Sequence, residues 1–464
     1  MNRFFRAIAV GLLVAAGLQL GSCSDEEPRI KLELWTLALR PHFDDYIEGV
    51  IHAFEQDHAG VDVVWVDVPF SAVERKFIAA AAAGRAPDVI NLSDLMFARF
   101  AGAGAFADLD GMLPGAPGDR YHPGALAVGQ FDSGLFALPW YLTTQARIVN
   151  TAKLESLGIP PDAVADSWPG LRRQARETFD RTGAMLFTQP LGQDSQLPVM
   201  MLADGVVPFT SDDAGRLRAS FRDPGVAAWI EAWVDLYRSG AMPRQAATSG
   251  FEHLIEVYQE ERVAVLNTGA NFLGRVRGAS QSTYNSTEVS APIVGSLGRA
   301  HIAVMPVSVS STTQHPRLAA ALAWELTSPS NQLAFCRLAS ILPSTVSSLD
   351  DPFFSGPTPR EIELGNQKIG RARAIVARAL ADAVAFTPRL ECWPELRRSF
   401  NDQIKRALLG DTSLEPILAD LEQDWNAILD AEERRRALAG EPAASMDAIP
   451  TPDPLRTPAD GAKR

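Results

Sequence analysis

Three short polar residues, Asn91, Ser93 and Asp94, stand directly behind the small apolar run Val89-Ile90. A carboxamide, a hydroxyl and a carboxylate together offer hydrogen-bonding chemistry to the hydroxyl or amino groups of a solute, and a carboxylate also serves as a general acid or base. The same residue types cap helices, and an apolar-periodic run follows from Leu95 to Ala101, so capping is the competing reading of Ser93 and Asp94. Nucleophilic and metal chemistry finds less support. The chain has no His-Glu-x-x-His, no Gly-x-Ser-x-Gly and no Gly-rich phosphate loop ending in Gly-Lys-Ser/Thr. Its His residues, at 42, 52, 58, 122, 253, 301 and 315, show no metal spacing, and His52 and His58 do not share a helix face. Asp and Glu are numerous enough to supply a glycosidase pair, but the distance between two carboxylates cannot be read from sequence.

The polar trio needs a frame, and the flanking residues supply one. Arg29 to Trp35 alternates apolar and charged residues and predicts a strand ending in Trp35. Phe43 to His58 carries Tyr46, Ile47, Val50, Ile51 and Phe54 on one helical face. Val61 to Val68 predicts a second strand, Ser71 to Ala83 a helix capped by Ser71 and stopped by Gly84, and Ala86 to Ile90 a third strand. Strands alternating with helices of about a dozen residues argue for a doubly wound parallel sheet, in which ligands sit at the carboxyl ends of strands. Gly102-Ala103-Gly104 follows a helix rather than a strand, so it reads as a turn and not as a dinucleotide fingerprint.

The start of the chain sets its compartment. Arg3 and Arg6 precede an apolar run from Ala7 to Leu18 that is too short to span a bilayer and reads as a secretory signal. Leu20-Gly21-Ser22-Cys23 resembles the bacterial lipoprotein signal, in which Cys23 is lipidated and becomes the new N-terminus. Residues 1–23 are therefore expected to be removed or modified. The remainder of the 464 residues suffices for one large or two medium domains. A net charge of -13 argues against nucleic acid as a partner. Of the three Cys, Cys336 and Cys392 remain after Cys23, and an exported compartment would permit a disulfide between them; sequence leaves open whether they meet.

The order of these pieces resembles the family 1 extracellular solute-binding proteins, the receptor lipoproteins of ABC importers, especially those for sugars. Gly104-Ala105-Phe106-Ala107-Asp108-Leu109 continues the pattern, and Gly134 to Trp140 is similar to the family's "G-x-x-x-x-L-P" crossover strand. Ile148-Val149-Asn150 resembles its "Y-N", with Val149 in place of Tyr. Asp166 to Leu171 resembles "T-W-x-E-L", Glu260 to Leu266 resembles "G-K-A-A-M", and Gly269-Ala270-Asn271 stands where "G-x-W" is common. Ser328 to Gln332, Leu342-Pro343 and the stretch from Trp393 to Trp425 match later segments. The similarity spans about residues 28 to 430.

The resemblance implies two doubly wound α/β lobes joined by a three-segment hinge, of the periplasmic-binding-protein type II kind, with crossovers near 138–140, 267–269 and 306–310. The expected lobes are 28–139 and 269–308 for the first, 140–268 and 309–438 for the second, with a disordered Pro-rich tail over 439–464. A sugar presents apolar ring faces edged by hydroxyls, so its receptor needs aromatic platforms and short polar side chains. The candidates are Trp35, Trp140 and Trp393 as platforms. Asp67, Ser93, Asp94, Tyr141, Thr143, Asn267, Asn271 and Glu391 are candidate polar groups. Gln193, Asp194 and Ser195 lie in a predicted loop of the second lobe. The expectation is a lipid-anchored monomer that captures an oligosaccharide or polyol and hands it to ABC permease subunits, without metal, cofactor or catalysis. Polyamine, peptide or iron-chelate binding and a secreted glycoside-active enzyme are the alternatives.

Overall fold

The computed structural model describes residues 29–131, 134–192, 195–269, 272–440 and 443–450. Cys23, Gln193, Asp194, Asn271 and residues 451–464 lie outside them. Among the described residues a nine-stranded mixed sheet runs through the molecule. Its strands are β1 (Ile30–Leu37), β2 (Val61–Val68), β3 (Val89–Asn91), β4 (Ala137–Asn150), β5 (Phe187–Thr188), β6 (Val265–Gly269), β7 (Thr287–Ser290), β8 (Ile302–Val309) and β9 (Leu342–Pro343). The order across the sheet is β2-β1-β3-β8-β4-β6-β5, with β7 and β9 also paired to β4.

The helices that matter for the site are α1 (Asp44–Asp57), α2 (Val73–Ala82), α3 (Asp94–Gly102), α4 (Pro123–Gly129), α5 (Trp168–Thr182) and α6 (Pro224–Arg238). They are followed by α7 (Pro316–Leu326), α8 (Pro329–Ala339), α9 (Gln367–Ala379), α10 (Trp393–Leu409) and α11 (Leu414–Ala439). The β1-to-α3 succession is the one the periodicity predicts. β1 pairs in parallel with β2 and β3, and its last four residues are all buried because helices cover both faces of such a sheet. α1 buries Ile47, Val50, Ile51 and Phe54. α2 starts two residues later than expected and without a side-chain cap, so Ser71 does not cap it; it stops before Gly84, whose φ of 65° suits a residue without Cβ.

β4 is the element both halves share. Ala137 to Thr144 pairs antiparallel with β8, and Gln145 to Asn150 pairs with β6 and β7. A strand of 14 residues thus leaves one core and enters the other. In the first half Leu32, Leu34, Ile47 and Phe54 share a core with Ala319, Leu322, Leu326 and Phe335 of α7 and α8. The second half is built on Trp168, Phe187, Trp233, Trp393, Phe400 and Trp425.

The expected lobe boundaries do not follow this packing. Leu273, Val276 and Tyr284 pack with Ile148, Tyr258 and Leu266, so 273–285 joins the second half and not the first. α7 and α8 join the first half and not the second, because their apolar faces meet α1 and β1. The chain crosses at β4, at the start of β8, and after β9, which returns along Tyr141 and Leu142. The expected tail also begins too early. α11 continues to Ala439, and within 443–450 Ala444 and Ile449 are buried, because their side chains complete the second core.

Candidate functional site

The two halves meet where the N-terminus of α3 faces the irregular segment Ala383–Cys392. Ser93 caps α3, its Oγ accepting the Met96 N–H at 3.3 Å, so the capping reading of this residue holds. Asp94 does more. Its Oδ1 accepts the Leu95 N–H at 2.8 Å, while its Oδ2 accepts the hydroxyl of Thr387, in the other half, at 3.2 Å. Burial pushes the Asp94 carboxyl up to about 6, against the opposing pull of the Leu95 and Thr387 hydrogen bonds and of Arg397. Next along α3, Arg99 pairs with Glu74 of its own half and lies 4.0 Å from Glu395 in the first turn of α10. Acidic side chains at that turn complement the helix dipole.

A cavity of about 160 Å³ lies in this seam, lined by Asp94, Phe97 and Ala98 of α3, Val128 of α4, Thr387 and Pro450. The second-half wall is tied to the hinge strands. Val384 donates its N–H to Ala300 at 2.9 Å, and Phe386 donates its N–H to His301 Nδ1 at 3.2 Å. That bond fixes the His301 tautomer with its proton on Nε2. Burial holds His301 down at about 4, so the ring is neutral. Among the described residues no group of three or more His, Cys, Asp or Glu is placed to hold an ion.

The other candidates separate into seam, frame and core. Asp67 belongs to the frame: it accepts from Thr36 Oγ1 at 2.8 Å and from the Leu39 and Arg40 N–H groups at 3.0 and 3.1 Å, fixing the loop after β1. Trp35 is buried among Val73, Phe77, Ile90 and Phe97, and its indole N–H donates to Glu33. It offers no free ring face. Trp140 is fully buried, its ring 5.0 Å from that of Phe335 and stacked on it, with Tyr141 edge-on at 5.3 Å. Trp393 is buried against Trp425 at 6.0 Å. All three expected platforms are buried as members of apolar cores.

Tyr141 and Thr143 lie on β4 opposite Met305 and Ala303 of β8, with Thr143 exposed. Asn267, buried, bonds Gln145 and accepts the Ile293 N–H at 3.4 Å. It lines a recess of about 30 Å³ with Gln145, Gln189 and His301, room for one or two waters. Glu391 is ion-paired with Arg435 of α11. The disulfide that the sequence left open does not form: Cys336 and Cys392 are free and buried in separate cores, and burial pushes both thiols up. The seam residues missed from sequence are Thr387, Arg99 and Glu395. None carries a local signature, since each matters only through a partner far along the chain.

Comparison with known proteins places this arrangement. The family model described as bacterial extracellular solute-binding protein matches residues 49–358. The chain belongs to that family of extracellular solute-binding proteins. Its fold is similar to that of a periplasmic-binding protein of Synechococcus sp. MITs9220 provisionally assigned to oligosaccharides. The TM-score is 0.74 and the identity 32%, covering 89% of this chain and 100% of that one. The sugar-binding protein MalE of Xanthomonas citri shares the fold with TM-score 0.71 at 18% identity, over 89% of this chain and 100% of its own. A Streptomyces antibioticus protein named as an uncharacterized lipoprotein is 24% identical over 357 residues, 76% of this chain and 78% of that one.

Proposed function

We propose that this protein captures a carbohydrate, an oligosaccharide or polyol, between its two halves and delivers it to the permease of an ABC importer, anchored outside the cytoplasm through lipid on Cys23. The observation that carries this reading is the seam, where Asp94 in one half and Thr387 in the other hydrogen-bond across a cavity. Carboxylate and hydroxyl groups of this kind exchange readily onto sugar hydroxyls. The cavity of about 160 Å³ is smaller than the roughly 300–1,000 Å³ of ordinary ligand pockets. An oligosaccharide therefore enters only after α3 and the 383–392 segment part. Joining the halves by a few extended crossings suits such hinge motion. The oligosaccharide assignment of the Synechococcus relative, the sugar-binding name of the Xanthomonas protein and the lipoprotein name of the Streptomyces relative support the same reading.

The test is a thermal-shift screen of residues 24–464 against maltotriose, other saccharides, polyols, polyamines and amino acids. A solute present at 100 times its dissociation constant stabilises the native state by about 2.7 kcal/mol. A shift with one saccharide class, recovered unchanged, supports the proposal; a shift with polyamines alone would redirect the substrate, and consumption of a sugar would make the protein an enzyme. For the anchor, labelled fatty acid should enter the wild-type chain and not Cys23→Ala.

A further inference from the structure

The end of the described chain reaches the seam. After Gly440, whose φ of 73° ends α11, the segment 443–450 holds only one short turn, Met446–Ala448, yet it is packed. Ile449 is 2% exposed. The segment lies along the second-half wall of the site: the Arg389 N–H donates to the Ala448 carbonyl at 2.8 Å, and Arg389 Nη2 donates to the Asp447 carbonyl at 2.7 Å. Pro450 then lines the seam cavity together with Asp94, Phe97 and Ala98 of the opposite half. Arg389 stands two residues from Thr387, whose hydroxyl meets Asp94. Holding Arg389 therefore restricts where Thr387 can lie.

We propose that residues 443–450 are a strap belonging to the binding site, which positions the Thr387 wall and closes one side of the cavity with Pro450. The strap sets how readily the two halves close, and its link to solute capture rests on the function proposed above. Without it, 386–390 loses two hydrogen bonds to carbonyls and an apolar edge, and the closed arrangement loses the surface that Pro450 presents to α3.

Closure is read without any solute by electron–electron distance measurement between spin labels on Ala79→Cys and Lys405→Cys. Both positions are exposed, one in each half, and in chains beginning at residue 24, which lack Cys23, the buried Cys336 and Cys392 do not compete for label. Chains ending at Gly440, and the full-length variants Ile449→Ser and Arg389→Met, should shift the distance distribution to longer separations; a chain ending at Pro450 should match the full chain. Identical distributions in all of them would overturn the proposal. If the chain ending at Gly440 does not fold, the two full-length variants decide. Maltotriose is then added. Where it binds the full chain, the strap variants should weaken it several-fold, and unchanged affinity would overturn the role in capture. Should neither it nor other saccharides bind the full chain, the carbohydrate reading fails while the solute-free distances still decide the strap.

Discussion

Asp94 illustrates how one side chain is committed by its surroundings. Its carboxyl is raised from 3.8 to about 6 chiefly by burial, although the Leu95 N–H, the Thr387 hydroxyl and Arg397 favour the charge, and Arg389 lines the same cavity. Between those two values the folded protein keeps a proton that the unfolded chain has lost. Stability from this group therefore falls as pH rises through the window. Asp94→Asn keeps an acceptor for Leu95 and removes the buried charge, so it should raise stability at pH 7 by up to about 3 kcal/mol and leave pH 4 almost unchanged. Melting temperatures of both forms at the two pH values check this. His301 acts with the opposite sign: held down at about 4 from 6.5, it contributes stability that is lost as pH falls through that range. The wild-type minus variant difference cancels it. Trp140, by contrast, is framework, and Trp140→Ala should cost about 3–5 kcal/mol in denaturant titrations, a loss far larger than removal of an exposed platform would cause.

The elements nearest the site were legible to unequal degrees. β1 through α3 follow from local periodicity: the buried face of α1 at Ile47, Val50, Ile51 and Phe54 is written in the spacing of those residues. Ser93 could be read as a cap for the same local reason. The pairing of the crossing strands was not legible, because β8 with β4 joins residues about 160 positions apart and no short window contains both. The aromatic platforms failed for a related reason. Composition can nominate Trp140, but only the fold reveals that Phe335 of α8 covers its ring. Asp67 was chosen as a ligand group and serves as a loop anchor with three donors. Asp67→Ala should cost about 1–3 kcal/mol and speed hydrogen exchange at Leu39 and Arg40 while sparing the interior amides of β1. The pair between Arg99 and Glu395, both about one-third exposed, belongs to the weak class. A double-mutant cycle should give a coupling under about 1 kcal/mol.

For the molecule as a whole, β4 is the member that makes two cores one folding unit. Thr143, paired with Ala303 of β8, lies near its midpoint, two residues before the stretch paired with β6 begins. Thr143→Pro removes an N–H and distorts both ladders. It should lower the melting of both halves together, as one calorimetric transition; two separated transitions would show that the halves are independent. Residues distant in sequence thus share one fate in stability, just as Asp94 and Thr387 share one in the seam.

The three crossings also bear on how such a protein can be inherited. Neither half is a continuous stretch of chain: the first uses residues before and after the second's long central segment, which runs from β4 to β8. A single recombination breakpoint placed within that segment leaves the second core assembled from two parents and its apolar interior mismatched. Exchanging the second half whole, and with it one wall of the seam, takes junctions at β4, at β8 and after β9 at once. Point substitution at the seam is therefore the easier route by which descendants of this chain change what they hold.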